Sequence, residues 1–229
     1  GSSSGSIVLE THHSGKAGVS GSMALKTGTS SFGDTGFFSL STGIARKGKG
    51  GYIKLHVGSG NSGRGGNFDI TAGNTDDSYT GGSISLTTGY SRFASSGNYA
   101  LQTPNAGHTG VSGYIRVVSG TSSSGNSGLF SVSTGDAKKG AAGDINMVVG
   151  DGDADGGGIL LTAGSTNAES KVGGTVTING GLGSSTSSKD GGNGGEIQIL
   201  GGAGRGTSTS VDVGGNVIVI AGLSDGATG

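Results

Sequence analysis

Asp151, Asp153, Asp155 and Gly156 stand in the run DGDADGG at 151–157, the first half of a D-x-D-x-D-G calcium loop. Three carboxylates on alternate residues of a turn can converge on a hard cation, and calcium takes such oxygen ligands. The full loop needs Glu at its twelfth place, where Thr162 stands, and the equivalent loop SGNSGRG at 59–65 has no acid. A solvated acidic turn accounts for the same residues and is the preferred reading, with calcium as the alternative. The four histidines, His12, His13, His56 and His108, do not assemble a metal set by spacing. His12 and His13 are adjacent at a strand end, where neighbouring side chains point opposite ways, and His56 falls beside Lys54 in an outward position. Serine is abundant, but no G-x-S-x-G elbow lies between a strand and a helix. Glycosidase chemistry needs a carboxylate pair at a usable separation, and the outward charges are sparse. The expectation is therefore a protein that is not an enzyme, with no catalytic residue and no required cofactor.

The elements that would position any site follow from a repeat. Of 229 residues 55 are Gly, without the every-third spacing of collagen. A unit G-x-Φ-x-Φ-x-small-G recurs fourteen times, its first glycines at 5, 21, 36, 51, 66, 82, 97, 113, 128, 143, 157, 174, 195 and 215. The second and fourth places after the glycine are apolar: Ile7 and Leu9, Phe38 and Leu40, Ile53 and Leu55, Phe68 and Ile70, Ile84 and Leu86, Tyr99 and Leu101, Ile115 and Val117, Phe130 and Val132. The sixth is small or β-branched, as at Thr11, Val57, Ala72 and Ala163. Alternation of this kind predicts a short strand with one buried face, in a register that a one-residue slip would invert. Loops of roughly eight residues, such as TSSFGDT, carry turn chemistry and are too short for a crossover helix.

The expected fold is all-β: a β-solenoid of about 14 short strands with glycine-rich turns and no helices, the near-constant columns favouring it over an antiparallel meander. Aromatic first inward residues in units three, five, seven and nine (Phe38, Phe68, Tyr99, Phe130) alternate with Ile or Met in the units between, which favours two strands per coil of about 30 residues over three or one. The sixteen residues named above would be its core ladder. Units one to six match units seven to twelve at an offset of 92 residues, or 91 for the fifth. Regular units would thus occupy 1–181, with block 5–96 duplicated as 97–181. Two further units with longer loops would continue the same solenoid over 182–229.

Outward positions turn apolar toward the C-terminus at Leu160, Leu200, Ile218 and Ile220, which reads as a contact patch or as a change of coil shape. Outward Glu10, Asp69 and Glu196 fall in odd units and Lys26, Lys54 and Arg116 in even ones, a sorting that suits lateral packing of copies and that Asp144 breaks. Outward Thr71, Thr87, Thr162, Thr175 and Thr177 suggest an ice-binding face but form no unbroken column. No Cys is present, and the net charge of −1 argues against binding nucleic acid through its phosphates. No apolar run reaches the 18 residues of a membrane span, and the first ten residues show no signal-peptide pattern.

The units GGSISLTTG at 81–89 and GGYIKLHVGSGNSGRGG at 50–66 resemble the Gly/Ser/Thr-rich tandem repeats of large predicted proteins of diatoms and related marine microalgae. The resemblance covers nearly the whole chain and implies a secreted or wall-associated structural protein. Open strand edges on the end coils would template pairing with another chain. The functional expectation is a structural protein that assembles with itself, head to tail and laterally, into an extracellular fibre or surface layer. An adhesin or glycan-binding stalk at the cell surface is the alternative.

Overall fold

The computed structural model describes residues 4–208 and 212–222. It falls into two bodies, Gly1–Ile115 and Arg116–Gly229. Among the described residues there is no α-helix and no β-strand; irregular coil alternates with short bends and turns. The β-solenoid expected from the repeat is not formed, and the two facing sheets and fourteen strands fall with it. No described residue is buried, so the sixteen ladder residues make no core within one copy. The chain exposes 23698 Å², against roughly 9,000 Å² for a compact protein of this mass.

The physical reason lies where successive units meet. Most loops bring their two ends together, with the first glycine of one unit against the sixth residue of the unit before, or against the seventh at Gly195 and Gly215. A Cβ on Gly66 would lie 2.8 Å from Cγ1 of Val57, and one on Gly157 would lie 2.7 Å from Cγ1 of Val149. Only glycine fits at these two positions without displacing a stiff β-branched side chain. The same neighbours meet at Gly21 and Thr11 (3.1 Å) and at Gly113 and Thr103 (3.1 Å), while Gly36 meets nothing within 4 Å. At these mouths a side chain meets the glycine, and backbone meets backbone only through a single bond at Gly82, Gly97, Gly174, Gly195 and Gly215. A ladder needs backbone beside backbone at about 4.8 Å, and a glycine-rich chain has more conformational entropy to lose in making one.

Two kinds of hydrogen bond close the loops. The first glycine's N–H donates to the carbonyl that ends the previous unit from Gly82 to Gly73 (2.9 Å), Gly97 to Gly89 (2.9 Å), Gly174 to Gly164 (2.7 Å), Gly195 to Gly181 (2.8 Å) and Gly215 to Gly202 (2.8 Å). Elsewhere the sixth-place threonine donates its hydroxyl to the carbonyl of the next first glycine: Thr11 to Gly21 (3.1 Å), Thr42 to Gly51 (3.5 Å) and Thr103 to Gly113 (3.0 Å). Each is a single bond at the mouth of a loop.

The duplicated block is visible in this geometry. Ser30 Oγ donates to the Phe32 carbonyl (2.9 Å) and Ser122 Oγ to that of Ser124 (3.1 Å), with positive φ at Gly33 and Gly125. Asp77 N–H donates to Thr75 Oγ1 (3.3 Å) and Ala168 N–H to Thr166 Oγ1 (3.2 Å), following the 91-residue offset of the fifth unit. Local sequence therefore sets loop conformation, since equivalent hydroxyls find equivalent carbonyls and amides.

Candidate functional site

No enclosed pocket forms among the described residues, so the candidate site is a surface. Its most regular feature is a difference in exposure along each apolar segment. In units two to thirteen the second- and fourth-place residues range from 48% exposed at Ile197 to 69% at Ile199. The other large apolar residues range from 72% at Val8 to 98% at Phe32, except Val118 at 65%, Val217 of the last unit at 51%, and the sixth-place Val57 and Val149 at 40% and 42%. Adjacent phenylalanines show the contrast within one segment: Phe38 is 63% exposed and Phe37 is 90% exposed. In the first unit Ile7 and Leu9 lack this cover, and so does Val219 in the last.

Cover is deepest at the sixth place. Thr11, Ala72, Thr103 and Ala163 are half-buried, and Val57 and Val149 are the most covered of the large apolar residues. These side chains rest on the next unit's glycine, so their loop mouths are small apolar contacts, some of them with one hydrogen bond. The two-place alternation of the sequence thus persists as a difference between two sides of each segment. One side carries Phe38, Leu40, Ile53, Leu55, Phe68, Ile70, Ile84, Leu86, Tyr99, Leu101, Ile115, Val117, Phe130 and Val132 as a half-exposed apolar row.

The remaining candidates are dispersed. Asp151, Asp153 and Asp155 are exposed around a bend at 153–155, and no group of three His, Asp or Glu that could hold a metal is present among the described residues. The His12 and His13 rings lie 6.5 Å apart at 40° and face no carboxylate cluster. Leu160, Leu200, Ile218 and Ile220 are exposed, each off the half-covered side of its segment.

Two features escape the sequence pattern. Arg92 places its guanidinium carbon 5.2 Å from the centre of the Phe93 ring, a cation–π pair in an exposed loop. Adjacent positions in a loop give no periodic signal for such a pair. The second feature is the threonine latch of Thr11, Thr42 and Thr103, whose signal was a recurring sixth-place Thr opposite a fixed glycine. No described helix is long and apolar enough to cross a membrane. Comparisons with family models, with curated proteins and with solved structures found no match for this chain.

Proposed function

We propose that this chain is a structural repeat protein that associates with copies of itself into a fibre or surface layer outside the cell. The observation that carries the proposal is the apolar row: its residues recur in register through twelve units yet stay about half exposed in a single copy. Apolar surface of that extent is unfavourable in water at about 25 cal/mol per Å². A stable interface needs only about 1,200–2,000 Å², a small part of the area this chain leaves open. A repeated row also offers another copy the same contact many times over, so weak single contacts sum along the chain.

The experiment is sedimentation velocity over a hundredfold range of concentration, with negative-stain electron microscopy of the same samples. Polydisperse filaments or sheets that grow with concentration are expected. A single small species throughout would refute self-assembly.

A glycan-binding stalk is the second reading, and the loop aromatics Phe32, Tyr79, Tyr90 and Phe93, all highly exposed, favour it. Flat rings on loops can stack against ligands. That reading predicts a monomer that is retained on a glycan array and loses retention with Phe93→Ala.

A further inference from the structure

The charged residues are not spread evenly along the chain. Body Gly1–Ile115 carries eight Lys or Arg against five Asp or Glu, net +3, and body Arg116–Gly229 carries six against ten, net −4. The separation is sharper within each body. Residues 35–68 contain five cations, Arg46, Lys47, Lys49, Lys54 and Arg64, and no Asp or Glu. Residues 140–170 contain five anions, Asp144, Asp151, Asp153, Asp155 and Glu169, and no Lys or Arg. All ten side chains are exposed, and none has an ion-pair partner among the described residues.

The block duplication sharpens the point. Units three and four, at 36–65, are the counterparts of units nine and ten, at 128–156. The loop GIARKGKG at 43–50 corresponds to GDAKKGAA at 135–142, which has gained Asp136 and lost Lys49. The loop SGNSGRG at 59–65 corresponds to GDGDADG at 150–156, where one cation has given way to three anions. The loop at 135–142 thus stays basic through Lys138 and Lys139, while the loop at 150–156 reverses the sign of its counterpart, Asp155 standing where Arg64 stands.

From this we propose that copies associate head to tail, the basic stretch 35–68 of one against the acidic stretch 140–170 of the next. The proposal rests on the self-assembly reading above and adds polarity to it. A second copy is the occupant that fits, because every chain carries both a stretch of five cations and a complementary stretch of five anions. Two copies of the same stretch repel, which disfavours pairing basic with basic or acidic with acidic. A contact between two different patches is heterologous, and such contacts continue into open filaments unless a rotation closes them. Exposed charges of this kind are screened beyond about 8 Å at physiological salt. They therefore select the partner end and speed encounter, while the apolar row supplies most of the affinity.

The test uses three full-length variants: Arg46→Glu/Lys47→Glu/Lys49→Glu, Asp151→Lys/Asp153→Lys/Asp155→Lys, and the chain carrying all six changes. The concentration for half-assembly is read by light scattering at about 20 mM and about 500 mM salt. Each triple variant alone is expected to need about tenfold more protein at low salt, with the difference collapsing at high salt. An equimolar mixture of the two triple variants, and the six-change chain alone, should both return toward the original value. Equal assembly of all variants at both salts, or failure of the mixture and the six-change chain to recover, overturns the polarity while leaving self-assembly standing. If the original chain stays a single copy at every concentration, both ideas fall. Recovery cannot come from generic loss of structure, because all six positions are exposed loop residues.

Discussion

Phe37 and Phe38 differ in place by one residue and in nothing else chemical, so truncating each to Ala isolates the role of the apolar row. Fully burying a phenylalanine side chain is worth about 1.5–3 kcal/mol. Phe38 retains 63% of its exposure in one copy, so a partner that covers the rest would contribute about 1–2 kcal/mol through it. At about 1.4 kcal/mol per tenfold, Phe38→Ala should raise the concentration for half-assembly by roughly 5- to 25-fold. Phe37 is 90% exposed on the other side of the segment, and Phe37→Ala should change that concentration by less than about twofold. Pelleting assays across a dilution series read both values. Equal effects, or a larger effect at Phe37, would show that the half-exposed row is not what another copy covers.

Further predictions concern the loops and the isolated chain. Gly82→Ala would set a Cβ 3.2 Å from the Gly73 amide nitrogen, whereas Gly58→Ala meets nothing within 4 Å. Exchange of the residue-82 amide should speed by about 2- to 10-fold in Gly82→Ala, the worth of one net hydrogen bond, and stay unchanged in Gly58→Ala. Thr103→Val keeps the shape and removes the hydroxyl that holds Gly113, so thermolysin should cut loop 103–113 about 2- to 10-fold faster. ANS should bind the dilute chain and be released as assembly proceeds, because it reports exposed apolar surface. Titration with calcium to about 1 mM should give no saturable heat, and Asp153→Asn should not alter the trace; saturation lost in that variant would instead favour the loop at 151–157 as a calcium site.

The register of the units was legible because alternation depends on local sequence alone: Phe38 and Leu40 share a side whether or not a neighbour is present. The loops were legible for the same reason, as with Ser30 and Gly33, whose conformation recurs at Ser122 and Gly125. Strand formation was not legible. Alternation states which side of a segment is apolar, but a ladder also needs continuous pairing with a second backbone, and successive units share at most one such bond at each junction. A core ladder was expected on the premise that one copy can bury its own apolar side, yet Ile53 and Phe68 stay about half exposed. The DGDADGG run has the spacing of half a calcium loop, and its three carboxylates lie exposed around a bend at 153–155. Charge polarity was readable in principle from the runs at 35–68 and 140–170, and sorting charges by alternate units obscured it.

Hydrogen exchange of the full chain, read by mass spectrometry at low and at high concentration, tests the central claim most directly. Backbone amides without pairing exchange quickly, and those covered in an assembly do not. Segments such as 37–42, 52–57 and 129–134 are expected to exchange fast when dilute and to become protected as concentration rises, while the loops between them stay fast. Protection of those segments already at the lowest concentration, in a species that sediments as one copy, would show a core within the single chain and contradict the account.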